Sequence, residues 1–173
     1  MVGEVRQRSG RLEKPSFIIV DAQSVKNTDT AEEKGYDGAK LVSGIKRHLA
    51  VDTQGLPHAI HITTANITDR AGALEAFSLH HLSLGDVTNV LADGGYTGKN
   101  FADRVRDILG CPVEIAKRSE LHTFAVIPKR WVVERSFAWL NKCRRLWKNC
   151  ERKLHTSLTM VVLAFLILCI NRL

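Results

Sequence analysis

Two aspartates stand where a charged side chain is unusual. Asp21 directly follows the apolar run IIV at 18–20, and Asp93 directly follows VLA at 90–92. A carboxylate at the end of a buried strand is costly unless something pairs with its charge. A divalent cation is one such partner, because oxygen ligands suit magnesium and manganese. The alternative is that each aspartate caps the turn or helix that follows its strand, and neither residue alone decides between the two.

A third carboxylate, Glu134, lies in the segment KRWVVERSFAWLNKCRRLWKN. We expect a helix from near Pro128 to about Cys150, with one broad apolar face and an opposite basic face. Glu134 is the one acid on the basic face. It either forms a surface ion pair with Arg130, which contributes little, or binds metal beside cations that hold DNA phosphates. The cations of this face are Arg130, Arg145, Lys148 and Arg152.

The three tryptophans of this segment are spaced by eight residues. The helical wheel places Trp139 and Trp147 on the apolar face, which predicts that both are packed in the core. Trp131 lies nearer the polar side, where it could meet a base or a sugar.

The elements that position these residues follow from hydrophobic periodicity. Their order predicts an α/β fold with a mixed sheet flanked by helices. Asp21 and Asp93 are both expected at strand ends, where open α/β sheets place their sites. Within the run 17–26, we expect a buried strand that ends on Asp21. The elements expected after it are a loop at 27–44, a hairpin of 45–55 and 56–64 beside the first strand, a helix at 69–81, a strand and tight turn at 87–98, a helix at 99–110, a strand at 111–118 and a last helix at 156–172.

The charge balance favours a polyanionic partner. The chain has 25 Lys and Arg against 18 Asp and Glu, a net charge of +7, which points to nucleic acid. The four cysteines form no C-x-x-C pair, so we expect free thiols in a reducing cytosol. The basic N-terminus is not a secretory signal. The apolar run at 160–170 is too short to span a bilayer, so no membrane partner is expected.

Histidines and a further aspartate surround the expected hairpin. His48, His58 and His61 could form a zinc site, but ordinary hydrogen bonds between strand side chains are the favoured interpretation. Asp52, on a neighbouring strand, could support a metal site indirectly. The stretch TTANITD predicts a helix start with Thr68 or Asp69 as the cap.

Taken together, the segments DAQSVK, LADGGYTG and RWVVERSFAWL resemble the three catalytic segments of bacterial insertion-sequence DDE transposases. The resemblance is closest to the group whose first segment reads D-S-Q-S-V-K, and it covers residues 17–172. It implies a ribonuclease-H-like fold in which Asp21, Asp93 and Glu134 bind two divalent metal ions, Mg²⁺ or Mn²⁺. It also implies cleavage of DNA and strand transfer at the ends of the element.

The family signature Y-x2-R-x3-E-x6-K is matched in part. Arg130 and Glu134 match, whereas Ile127 and Asn141 stand at the Tyr and Lys positions. In the first segment, Ala22 replaces the usual Ser. The resemblance implies DNA as the partner, a homodimer when assembled on DNA, and a location in the bacterial cytoplasm at the nucleoid. The missing cation would come from Lys142, Arg144 or Arg145.

The expected domain organisation is a tail or linker at 1–16 and a catalytic domain at 17–173, with the N-terminal DNA-binding region of the family absent. A fragment, a downstream reading frame joined by frameshifting, and a decayed copy all remain open. One alternative function is that of a truncated, non-catalytic DNA-binding regulator of transposition. Another is a nuclease of the same fold that cuts without joining.

Overall fold

The computed structural model describes residues 1–116 and 130–173, with Arg130 described by its backbone alone. Four successive strands come first after a short helix, and helices and strands alternate only from the second helix onward, up to two final helices. The helices are α1 (Val2–Arg8), α2 (Asp69–His80), α3 (Lys99–Leu109), α4 (Arg130–Asn141) and α5 (Leu154–Ile170). The strands are β1 (Phe17–Lys26), β2 (Gly35–Asp37), β3 (Val42–Val51), β4 (Pro57–Thr64), β5 (Asn89–Ala92) and β6 (Val113–Ile115).

The described strands form one mixed sheet. β1 lies at its centre, antiparallel to β3 and parallel to β5, and β6 pairs in parallel with β5. On the other side of β3 lies β4, the second strand of a hairpin, and β2 pairs with the start of β3. The expected α/β fold with a mixed sheet is therefore confirmed, and so is the hairpin beside the first strand.

The sheet separates two apolar cores. On one face, α2 and α3 pack over Ile18, Val20 and Val90. On the other face, α4 and α5 pack over Ile19, Leu91 and the second half of β3. Since successive side chains of a strand point to opposite faces, each residue of β1 can be assigned to one core or the other.

Local sequence signals place several helix ends where the structure has them. Thr68 caps α2, its hydroxyl accepting a hydrogen bond from the Ala71 N–H at 3.2 Å. Gly110 ends α3 in the left-handed conformation that glycine adopts most readily, with φ of 70°. The segment predicted as a loop at 27–44 includes β2 and the first residues of β3, so that expectation was too simple.

The helix expected to continue to Cys150 ends at Asn141. Beyond it the chain turns and runs beside the end of β1, where the Asn149 N–H donates to the Lys26 carbonyl at 2.9 Å. The Asn149 side chain also donates to that of Asn27 at 2.9 Å. These contacts join segments that are distant in the sequence, and neither proline nor glycine marks the break. The expected start near Pro128 lies outside the described residues.

The segment predicted as a tail or linker contains α1. Val5 of this helix is buried against Leu56 and Cys169. The Arg6 guanidinium pairs with the Asp52 carboxylate, and both side chains are buried. An ion pair removed from water is disrupted at high cost when one partner is lost. Residues 2–8 are therefore packed on the described fold, while a domain boundary at residue 16 stays a prediction.

Candidate active site

Asp21 and Asp93 follow a pair of residues that are matched on two adjacent parallel strands. Ile19 of β1 pairs with Leu91 of β5, and each aspartate comes two residues later. Asp21 lies in the middle of β1, paired with Leu49 of β3, so the prediction that the strand ends on Asp21 was wrong. β1 continues because β3 pairs with it as far as Lys26, whereas β5 stops at Ala92.

Asp93 begins a tight turn at the carboxyl end of β5. Its carboxylate accepts a hydrogen bond from the Gly95 N–H at 2.9 Å, and its carbonyl accepts one from the Tyr96 N–H at 3.1 Å. Asp93 can therefore both cap the turn and bind a metal ion. A carboxylate that caps a 3-10 turn through one oxygen retains other lone pairs.

Burial dominates the electrostatics of Asp21, and Lys40 is the nearby positive charge that opposes its effect. Burial raises its pKa to about 6, the Ala22 N–H works against this rise, and the neighbouring Asp93 adds to it. The Asp21 carboxylate accepts from its own neighbour, the Ala22 N–H, at 2.7 Å. Neighbouring carboxylates favour binding of a cation, since each raises the cost of ionising the other.

Sequence reasoning missed the neighbours of this pair. The Lys40 ammonium donates to the Ala22 carbonyl at 3.2 Å and lies 3.6 Å from Asp69 at the start of α2. Tyr96 is buried, its pKa raised by burial and further by the charges of the surrounding aspartates. The tyrosine three residues after Asp93 was the available signal, but only the fold shows that its ring packs on Phe101, with centroids 5.3 Å apart.

Glu134 is exposed on α4, the helix that covers the face of the sheet to which Ile19 and, by alternation, Asp21 belong. Ser136 donates to the Gly55 carbonyl in the β3–β4 turn at 2.9 Å. Two residues earlier on a helix, Glu134 projects to roughly the opposite side, away from that turn. Within residues 1–116 and 131–173, three acids do not form a ready-made metal cluster, so the role of Glu134 stays a prediction.

The cations expected to share one helix face do not do so, because α4 ends at Asn141. Arg145 donates to Glu151 at 2.7 Å, and Arg152 pairs with Glu32. Lys148 lies over the Trp147 ring, 5.5 Å from its centroid. Lys142 is exposed just after the helix, and the side chain of Arg130 and all of Ile127 lie outside the described residues.

Of the three tryptophans, two lie as predicted and one does not. Trp139 packs against the core on the α4 side and Trp131 is exposed, as the helical wheel predicts. Trp147 is 66% exposed, so its expected burial was wrong. The reason is the early end of α4, which removes Trp147 from the helical spacing.

The histidines and Asp52 belong to other parts of the fold. His48 shares a 2.9 Å hydrogen bond with Thr63, and His61 contacts Glu75 at 3.0 Å. Asp52 accepts from the Gln54 and Leu56 N–H groups and lies 3.3 Å from His58. Asp52 comes directly after β3, at the end of that strand that lies beside the start of β1. Its partners belong to that end of the sheet and include neither Asp21 nor Asp93, so the prediction that Asp52 supports the metal site was wrong.

The sequence of the chain is similar to those of known transposases. The family model described as "Transposase DDE domain" matches residues 12–170. The chain belongs to this transposase family. A Burkholderia cepacia protein described as "Putative transposase for insertion sequence element IS402" is 33% identical over 139 residues, covering 75% of this chain and 64% of that protein. The transposase domain thus spans less than two thirds of that relative.

The fold of the transposase domain is also found in a solved structure. A chain of the simian T-cell lymphotropic virus intasome, solved by electron cryomicroscopy in complex with PP2A regulatory subunit B56 gamma, matches with a TM-score of 0.56. The match covers 88% of the transposase domain and 48% of that chain at 15% identity. At this identity the likeness concerns the fold, which is the ribonuclease-H-like one expected above.

Proposed function

We propose that this chain is the catalytic domain of a transposase that cleaves DNA at insertion-sequence ends and joins the freed strand to target DNA. The observation that carries the proposal is the placement of Asp21 and Asp93 two residues beyond the paired Ile19 and Leu91 of adjacent parallel strands. This pairing occurs in a chain whose family is defined by a DDE domain.

The donor set fits hard divalent cations. Asp21 and Asp93 offer carboxylate oxygens, the ligands that Mg²⁺ and Mn²⁺ prefer. The pKa of Asp21 is raised by burial and, to a smaller extent, by the charge of Asp93. Two such ions, when bound, would stabilise the attacking and leaving oxygens of an in-line displacement at phosphorus. We propose Glu134 as the third ligand when metal and DNA are present.

The remaining residues position the carboxylates and the substrate. The β5 turn fixes the Asp93 carboxylate through the Gly95 N–H. Pairing with Leu49 of β3 fixes the backbone of Asp21. We propose that Arg130, Lys142, Arg145, Lys148 and Arg152 contact DNA phosphates. We further propose that the domain works as a homodimer on DNA, at the nucleoid in the bacterial cytoplasm.

The test is a nicking and strand-transfer assay on labelled duplexes with Mn²⁺ or Mg²⁺. Asp93→Asn should abolish metal-dependent nicking and spare DNA binding, because it removes one anionic ligand and no phosphate contact. Asp86→Asn changes an exposed aspartate shortly before β5 and serves as the matched control with full activity. Equal nicking by the Asp93→Asn variant and the unmodified chain would refute the assignment.

The same assay distinguishes the other functions. A duplex with a free 3′-hydroxyl donor yields a joined product from a transposase and none from a nuclease that only cuts. DNA binding without nicking in either metal would indicate a non-catalytic regulator of transposition.

A further inference from the structure

A cleft opens beside the aspartate pair. It lies between the turn that joins β2 to β3 and the start of α2, and Gly95, two residues after Asp93, forms part of its wall. Its volume is about 260 Å³, close to the lower end of the roughly 300–1,000 Å³ of small-molecule sites. The cleft thus has room for a group such as one phosphate with its sugar, next to the candidate metal site.

Buried ion pairs fix the wall of the cleft. The Lys46 ammonium is buried, 2.8 Å from the Asp69 carboxylate and 3.2 Å from that of Asp37. Asp37 also accepts hydrogen bonds from the Ala39 and Lys40 N–H groups, each at 3.1 Å. These contacts tie the β2–β3 turn to the start of α2, so little ordering of the turn is needed when a ligand binds.

Lys40 places a positive charge between the cleft and Asp21. Its ammonium donates to the carbonyl of Ala22, the residue after Asp21, at 3.2 Å and lies 3.6 Å from Asp69. An ammonium has three N–H donors and this side chain is 43% exposed, so a donor remains for a ligand. The next residue, Leu41, has a φ of 54°, a left-handed conformation that is rare for leucine and that clusters at ligand-binding turns.

A second cation of the cleft has no structural role in the described part of the chain. Arg70 is exposed in the first turn of α2, and its guanidinium has no hydrogen-bond or ion-pair partner there. The helix dipole disfavours a cation in a first turn, so Arg70 is not explained by the stability of α2. The cleft as a whole carries one net positive charge, from Lys40, Lys46 and Arg70 against Asp37 and Asp69.

We propose that this cleft binds a phosphate of the DNA strand beside the one that reacts, through the Lys40 ammonium and the Arg70 guanidinium. A guanidinium binds phosphate through two parallel hydrogen bonds and an ammonium binds it as a point charge. The exposed ring of Tyr36, also in the cleft wall, would contact the sugar. This inference rests on the proposed function and deepens it, because it assigns DNA contacts apart from the cations of 130–152.

The experiment measures binding of a fluorescent duplex by anisotropy over a series of salt concentrations, without metal. The double variant Lys40→Gln and Arg70→Gln should flatten the dependence of log affinity on log salt by about two units, one for each phosphate contact. Exchanging the two cations, Lys40→Arg with Arg70→Lys, keeps both charges and should keep the slope.

The matched control is the double variant Arg8→Gln and Arg11→Gln, which removes two exposed arginines at α1. That helix packs on Leu56, after the end of β3 that is farther from Lys40. The control should therefore bind DNA with the slope of the unmodified chain.

Circular dichroism melting establishes that the Lys40 and Arg70 double variant is folded. If it unfolds, Arg70→Gln alone decides, and it should flatten the slope by about one unit. An unchanged slope in the folded variant, or equal flattening in the α1 control, overturns the proposal. Because binding is measured without metal, an unchanged slope together with nicking that depends on Asp93 would refute this cleft and leave the proposed function standing.

Discussion

At the scale of single residues, the aspartates of this domain differ in what compensates their charge. The Asp37 carboxylate accepts hydrogen bonds from the Ser24 hydroxyl, the Lys40 N–H and the Lys46 ammonium. Together these donors lower the pKa of Asp37 to about 2. Burial opposes ionisation of Asp52, but His58, the Leu56 N–H and Arg6 together hold its pKa below the usual value. Asp21, in contrast, has a raised pKa, because burial outweighs the Ala22 N–H and the Lys40 charge that favour its ionised form.

The compensated state of Asp37 predicts a pH-dependent contribution to stability. Its pKa is lower in the folded protein than the usual 3.8, so the contribution is complete above pH 3.8 and is lost as the pH falls towards 2. Asp37→Asn should lower the free energy of unfolding at pH 6 by about 1.5–3 kcal/mol, the contribution of a hydrogen bond to a charged group. Urea unfolding between pH 6 and pH 2.5 should show the difference shrinking.

The matched control for this prediction is Asp29→Asn, at an exposed aspartate, which should change stability little at any pH. A difference between Asp37→Asn and the unmodified chain that stays constant down to pH 2.5 would contradict the assignment.

At the scale of elements, the backbone of α2 lies very close to a side chain of the sheet at Gly72. A Cβ atom added at Gly72 of α2 would overlap the His48 imidazole. That ring is fully buried and bonded to Thr63, so it has little room to move. Glycine thus lets α2 lie close to β3, which places Asp69 at the start of α2 within 2.8 Å of the Lys46 ammonium.

Gly72→Ala should therefore destabilise the fold, although alanine is the better helix former by about 1 kcal/mol. Overpacking of a filled core typically costs about 1–3 kcal/mol, and this effect should dominate in thermal melting. Gly85→Ala is the control, because a Cβ there meets nothing closer than 3.7 Å. Equal melting temperatures for Gly72→Ala and the unmodified chain would show that α2 moves away at little cost.

At the scale of the whole molecule, the chain has a net charge of +7, although its candidate site is built from aspartates. Carboxylates already pair with two of the cations proposed for DNA, Arg145 with Glu151 and Arg152 with Glu32. In the described part of the chain, Lys142 and Lys148 have no ion-pair partner. These two lysines are therefore expected to contribute more to phosphate binding than the paired arginines.

Replacing Lys142 and Lys148 by Gln should flatten the dependence of log affinity on log salt by about two units, one for each lysine that binds a phosphate. Fluorescence anisotropy with duplexes of different sequence measures this slope, and the change should not depend on sequence. The control replaces Arg104 and Arg106 by Gln on exposed positions of α3, on the opposite side of the sheet. An unchanged slope in the lysine variant would identify these residues as a solvated surface.

The sequence by itself determined the features that depend on neighbours along the chain. Apolar periodicity gave the order of strands and helices, Thr68 and Gly110 gave helix ends, and the apolar runs before Asp21 and Asp93 revealed the carboxylates. The tertiary structure alone decided what depends on distant partners. Pairing with β3 carries β1 past Asp21, contacts with Asn27 set the path after α4, and Asp52 binds Arg6 of α1. It also decided that α5, which is apolar throughout 160–170, buries one side and leaves the other exposed.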